Sequence, residues 1–371
     1  MKRQHWILVG FLAMPLSATA GLFGFGDNSA DVATKVATLD EDGEILGLDF
    51  SPDGKHLAAT PFNSATVHIW DWQGNNLERT LKRDTGTNVA VTQPVRYSPD
   101  GKLLVVCHTR NRETNIVARI WNSDTWNVVH DIVEPGSYSC EAMEFLLDGK
   151  SSIRVMADSV WGYTGDNIIV YDTSSWEIIW KLNTQQFLPS TLALSPDNKL
   201  VAISGEEYKG GKGLPITIQG KIAIVDMAQH NITHTITINN GKRGALAWSP
   251  DGVHLAYENK DGVEIFDART GVRVIEEKKE SDRSDVHVRY TPDGKYLIES
   301  DFGKGGTRVR IWDGQHQKLL QEIKAIPGCI AVSRDGRFLA MGGNAPSITD
   351  INPLLSLMFP SKGKIVVYEL K

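Results

Sequence analysis

Cysteine is scarce in this chain, and the three present, Cys107, Cys140 and Cys329, are an odd count. They form neither a disulfide framework nor a Cys-x-x-Cys metal or haem pair. One Cys107–Cys140 bridge is open to them in an oxidising compartment; buried free thiols are the alternative, and the one the sequence favours. Catalytic signatures are also missing. The chain has no Gly-x-Ser-x-Gly elbow, no His-Glu-x-x-His and no Cys-x-x-Cys-His. His230 and His234 stand four apart, but on a strand rising ~3.3 Å per residue they lie too far from each other to share a metal. The acidic run Asp40-Glu41-Asp42-Gly43-Glu44 lacks the other ligands of a calcium loop and reads as a solvated turn. No cofactor and no metal site is expected, and the chain is expected not to be an enzyme.

Basic charge is in deficit, with 39 Lys and Arg against 45 Asp and Glu. Long apolar runs are short as well. The one at the N-terminus, Trp6 to Met14, follows Lys2 and Arg3 and precedes Ala18-Thr19-Ala20, which reads as a secretory signal over residues 1–20 rather than a membrane span. Removing it takes the formal charge from −6 to −8. An acidic, exported protein, periplasmic or secreted, is a poor candidate for nucleic acid. Stable membrane insertion after cleavage is not expected, and the protein is taken as a monomer. Residues 21–34, with Gly21, Gly24 and Gly26, read as a flexible leader.

What the chain does have is one tetrapeptide written repeatedly. Ser51-Pro52-Asp53-Gly54 returns as Ser98-Pro99-Asp100-Gly101, Ser195-Pro196-Asp197-Asn198, Ser249-Pro250-Asp251-Gly252 and Thr291-Pro292-Asp293-Gly294. Eroded copies stand at Leu147-Asp148-Gly149 and Arg334-Asp335-Gly336. Pro presets φ in a tight turn, Asp bonds its own backbone and Gly takes the positive φ that closes a hairpin. The turn aspartates are spaced by 47, 48, 49, 54, 42 and 42 residues, a period of solenoids or propellers. Apolar residues alternate on both sides of each turn, the strand period. A third strand ends in an aromatic or apolar residue and usually an acid, as in Ile69-Trp70-Asp71, Val170-Tyr171-Asp172 and Ile311-Trp312-Asp313. A more polar fourth strand follows, such as Glu177 to Leu182. Seven such units over residues 35–371 predict an all-β, seven-bladed β-propeller with four antiparallel strands per blade.

These Trp-Asp ends and Ser-Pro-Asp-Gly turns resemble the WD-repeat propellers, and more closely the exported bacterial propellers of the kind found in the periplasmic protein of the Tol system. No unit carries the Gly-His pair those repeats place ahead of the first strand. The last unit stops after a third strand, Lys364 to Leu370, and Lys35 to Leu39 is predicted to supply its missing edge, closing the ring.

Candidate sites lie on the face opposite the Pro-Asp-Gly turns, where the connections between second and third strands are uneven. In the third unit Trp161 and Tyr163 are contact candidates or pack on a neighbouring loop. In the fourth, the connection Gly205 to Gly220 contains Tyr208, Lys209 and Lys212 among glycines and is an anion cradle or a hairpin tip. In the seventh, Gly342 to Gly363 contains Leu354, Leu355, Leu357, Met358 and Phe359, a plug over the axis or an exposed docking patch. Two residues before each turn serine stand Asp49, Arg96, Glu144, Ala193, Ala247, Arg289 and Ala331. Of these Asp49, Arg96, Glu144 and Arg289 are channel candidates, either as inter-blade ion pairs or as a ligand site. The function expected is a non-catalytic periplasmic scaffold that binds a protein partner, of unknown identity, through the long-loop face. The alternative is a lactonase or hydrolase of propeller type with its site at the axial channel mouth.

Overall fold

Each repeated turn is held by the bonds its residues were chosen for. Ser51 Oγ donates to Asp53 Oδ1 at 2.6 Å, His56 N–H donates to Ser51 Oγ at 2.9 Å, and Lys55 N–H donates to Asp53 Oδ1 at 3.1 Å. Gly54 takes φ 72°. The same Ser–Asp bond forms from Ser98 to Asp100, Ser195 to Asp197 and Ser249 to Asp251. Thr291 bonds Asp293 in the same way, and Ser333 bonds Asp335 even where Arg334 replaces the proline. The turns also touch around the ring. A Cβ added at Gly101 would lie 3.4 Å from Cδ of Pro52, and one at Gly336 3.5 Å from Cδ of Pro292, so one blade's glycine receives the previous blade's proline.

The structure is a computed structural model. It describes residues 31–371 except for 63–65, 83–93, 109–114, 135–137, 159–165, 185–186, 210–215, 239–243, 260–261, 279–286, 304–305, 325–327 and 345–361. The strand β1 (Ala33–Glu41) comes first. Blade 1 is β2 (Ile45–Phe50), β3 (His56–Pro61), β4 (Thr66–Asp71) and β5 (Asn76–Lys82); blade 2 is β6 (Val95–Tyr97), β7 (Leu103–Cys107), β8 (Ile116–Asn122) and β9 (Val128–Val133). Blade 3 is β10 (Tyr138–Phe145), β11 (Ser151–Asp158), β12 (Ile168–Asp172) and β13 (Ile178–Leu182); blade 4 is β14 (Phe187–Leu194), β15 (Leu200–Lys209), β16 (Ile216–Asp226) and β17 (Asn231–Ile238). Blade 5 is β18 (Ala245–Trp248), β19 (His254–Asn259), β20 (Gly262–Asp267) and β21 (Arg273–Lys278); blade 6 is β22 (His287–Tyr290), β23 (Tyr296–Gly303), β24 (Gly306–Asp313) and β25 (Leu319–Lys324). Blade 7 is β26 (Ile330–Val332), β27 (Phe338–Asn344) and β28 (Gly363–Leu370), completed by β1. The protein is therefore the expected seven-bladed propeller of four-stranded antiparallel sheets.

The core is distributed between blades rather than within them. Seven buried clusters lie one at each blade-to-blade contact. On β3 Leu57 and Ala59 enter the contact with blade 7, while Ala58 enters that with blade 2. Successive residues of an inner strand thus serve opposite contacts, and both faces read as apolar. The outer strand β5 has one wall only, and of its residues Leu81 alone is buried.

Ring closure reproduces the geometry of an ordinary blade. β1 pairs β28 antiparallel from Ala33↔Leu370 to Glu41↔Gly363. A register shift falls beside Tyr368, where β1 skips from Lys35 to Ala37. The other six blades carry a shift at the equivalent place, against Trp70, Trp121, Tyr171, Val225, Phe266 and Trp312. The extra residue bends the fourth strand and increases its twist near the end of the third.

Candidate functional site

The innermost strands β2, β6, β10, β14, β18, β22 and β26 run side by side around the axis, and the second residue before each turn comes to an equivalent level. Cross-strand partners fix the equivalence: Asp49↔Ala58, Arg96↔Val105, Glu144↔Ile153, Ala193↔Ala202, Ala247↔Ala256, Arg289↔Ile298 and Ala331↔Ala340. Blades 1 to 3 present a chain of charge. Arg96 Nε donates to Glu144 Oε1 at 2.6 Å, and Tyr97 N–H donates to Asp49 Oδ2 at 2.7 Å. The first bond crosses from blade 2 to blade 3 and the second from blade 2 to blade 1, so inter-blade ion pairing is present. Solvent still reaches the pair: the side chains of Arg96 and Glu144 are 20% and 26% exposed.

The electrostatics depart from those of free side chains. Burial pushes the Asp49 carboxyl up to about 6, against the pull of Arg96 and the Tyr97 N–H. Burial works to lower Arg96, but Glu144 and Asp49 outweigh it and hold the guanidinium above its ordinary value. Arg289 is brought down to about 10, by burial first and then by Arg96, although Glu144 and Asp49 pull the other way. His287, two residues earlier on β22, is held at about 3 by burial and the two guanidiniums, so it stays neutral. Burial raises the Cys329 thiol on blade 7 to about 12. Arg289 of blade 6 thus feels charges on blades 1, 2 and 3, none of which adjoins it in the ring, and the axis is where these groups approach one another.

The remaining sequence candidates divide. Trp161, Tyr163, Lys212, Leu354, Leu355, Leu357, Met358 and Phe359 lie outside the described residues. Tyr208 and Lys209 are not in a loop: β15 and β16 continue outward as a paired ribbon, with Tyr208↔Thr217 and Lys209↔Ile216. The connection there is 210–215, much shorter than Gly205 to Gly220. His230 stacks on Trp180 at 4.7 Å, and His234 Nε2 lies 3.2 Å from the carbonyl of Ala268. Among the described residues no group of three or more His, Cys, Asp or Glu is placed to hold a metal ion.

Two sequence readings need correction. Cys107 and Cys140 are joined by a disulfide between β7 and β10, which ties blade 2 to blade 3, and only Cys329 is a buried free thiol. The two half-cystines sit in the same inter-blade cluster, with Cα atoms 5.2 Å apart. Glu41 is not part of a solvated turn. Its side chain is 1% exposed and accepts from Trp70 Nε1 at 2.6 Å and from His68 Nδ1 at 2.7 Å, while His68 Nε2 lies 3.1 Å from the Thr66 hydroxyl. The carboxylate on the closing strand thereby anchors the tryptophan of blade 1. In blade 6 Glu299 plays a similar part, accepting from Trp312 Nε1 at 3.1 Å. In the sequence Glu41 is hidden within an acidic run, which reads as solvent-facing.

Residues 33–71 match the WD domain, G-beta repeat family. The chain is 24% identical over 256 residues to SEC12-like protein 2 of Arabidopsis thaliana, covering 68% of this chain and 57% of that protein. It is 33% identical over 78 residues to cell division cycle 20.1, cofactor of APC complex, of the same plant, covering 21% of this chain and 16% of that protein. The chain thus spans well under two thirds of either relative. Among solved structures, a chain of Kuenenia stuttgartiensis hydrazine synthase superposes with a TM-score of 0.63 at 18% identity, covering 81% of this chain and 92% of that one. At that identity the likeness is one of fold, and with the repeat match it makes this a WD-repeat-like propeller.

Proposed function

We propose that this WD-repeat-like propeller is a non-catalytic scaffold of the bacterial periplasm that docks a protein partner, as a monomer, on the face carrying its unequal connections. The observation that carries the reading is the inequality of the two faces. On one, the same bonded hairpin recurs in blade after blade. On the other, the connection from second to third strand runs from 260–261 in blade 5 to 345–362 in blade 7. Sequence beyond the structural minimum, mounted on a rigid ring, is where binding is placed. Trp161, Tyr163, Tyr208, Lys209, Lys212 and the run Leu354 to Phe359 belong to connections of that face or to the ribbon leading into one of them.

Export is supported by the N-terminal signal pattern and by the Cys107–Cys140 bridge, which persists in an oxidising compartment. The enzymatic alternative draws on the carboxylates Asp49 and Glu144 at the axis, but Glu144 is committed to Arg96. In-cell crosslinking of the tagged protein, comparing wild type with a chain in which 345–361 is replaced by a short Gly-Ser link, tests the docking face. Loss of a specific crosslinked partner is expected, and unchanged capture would overturn it. Recovery of the protein from the periplasmic fraction with Gly21 at its N-terminus checks the export reading.

A further inference from the structure

Among the described residues Arg289 is the axial arginine that has no acid hydrogen-bonded to it. Arg96 is bonded to Glu144, and Asp49 accepts the Tyr97 N–H. Among the described residues the hydrogen bond of Arg289 is to the carbonyl of its own neighbour Val288, from Nη1 at 2.9 Å. A guanidinium has five N–H donors in a planar fork, and burying it without an acceptor costs free energy. None of the buried side-chain atoms lacking a partner belongs to Arg289, so its other donors face open space rather than packed protein.

An anion in that space would meet two guanidiniums, since Arg289 is lowered by burial and then by Arg96, against the pull of Glu144 and Asp49, of which Glu144 is already bonded to Arg96. At the equivalent level blades 4, 5 and 7 carry only the methyl groups of Ala193, Ala247 and Ala331. One step nearer the long-connection face stand Pro94, Thr191, Ala245 and His287, all half-buried and none an acid.

We infer that the axial channel binds a carboxylate on Arg289, with Arg96 as the second cation, the acid being supplied by an acidic side chain of a docked partner segment or by a free dicarboxylic acid. The two oxygens of a carboxylate match the guanidinium fork. The partner-segment source rests on the docking function proposed above; the free-acid source does not.

The test is calorimetric titration of the purified mature protein, in low-chloride buffer, with succinate and with the capped peptide acetyl-Ala-Ala-Glu-Ala-amide. Binding of at least one probe is expected, weakened tenfold or more in Arg289→Gln, partly restored in Arg289→Lys, and unchanged in the surface control Arg337→Gln. Phenylglyoxal modification of the wild-type protein, read by mass spectrometry at Arg289, needs no variant and should be suppressed by the bound probe. Succinate binding without peptide binding keeps the site and removes the docking source. Peptide binding keeps both. If neither probe binds, or if Arg289 is modified equally with and without the bound probe, the inference is wrong.

Discussion

Asp49 pays for its place at the axis. Its folded carboxyl titrates near 6, above the 3.8 of an unconstrained aspartate, so the folded protein binds a proton more tightly than the unfolded chain. Between those values stability therefore rises as pH falls, and above pH 6 the ionised, buried group is a net cost. Asp49→Asn should improve stability more at pH 7.5 than at pH 5, by about 1 kcal/mol, a difference that urea melts at the two pH values would resolve. Equal effects at both would sink the assignment. The turn aspartates carry the opposite sign: the Thr291 hydroxyl holds Asp293 below the usual carboxylate range, a contribution present at neutral pH and lost in acid. At Gly101, φ is 74° and Pro52 of the preceding blade lies against it. Gly101→Ala should cost about 1 kcal/mol or more in the same melts. Counting back two positions from each turn was enough to find Asp49, Arg96, Glu144 and Arg289. What the count could not tell is that Arg96 is hydrogen-bonded to an acid and, among the described residues, Arg289 is not, because that depends on which blades approach across the axis.

At the scale of strands, the inter-blade contacts are where stability is to be tested. The Cys107–Cys140 bridge joins strands of two sheets across a sequence separation of 33. Loop-closure reasoning gives it about 3–4 kcal/mol, and Cys107→Ser with Cys140→Ser should lower the midpoint of thermal unfolding accordingly. No change in midpoint would mean that the bridge does not stabilise the fold. Glu41→Ala should cost about 2–4 kcal/mol in equilibrium unfolding, because it strands the buried Trp70 indole and the His68 ring together; Glu41→Gln, which keeps an acceptor, should cost less. The strand order was legible because turn, apolar alternation and Trp-Asp end recur in register. The bridge was not, since three cysteines at distant positions carry no pattern. Nor was the ribbon of β15 and β16 legible, since Gly205 and Gly220 look like loop boundaries. Each glycine instead sits within a paired strand, and a Cβ at Gly205 would collide with the carbonyl of Leu188.

For the whole ring, the closing strand is worth more than its own bonds. β1 contributes Leu39 to the contact between blades 7 and 1 and Ala33 to that between blades 6 and 7. Deleting residues 31–41 removes material from both contacts and uncovers an edge on β28. Differential scanning calorimetry should then show a broad or split transition in place of a single cooperative one, and light scattering should show association through the open edge. A sharp single transition near the wild-type midpoint would mean that blade 7 stands without β1.

The pairing of Ala33 with Leu370 also sets an order in time. β1 leaves the ribosome ahead of every blade, and its partner follows them all, so at translation rates of ~5–20 residues per second it waits on the order of tens of seconds. Throughout that interval it is a naked strand with nothing to pair with. The charges of Lys35, Asp40 and Glu41 make it a poor template for a wrong neighbour during the wait. The ring is thus latched by the segment that had to be kept longest from sticking, and a chain without β28 has no partner for β1 and no closed molecule.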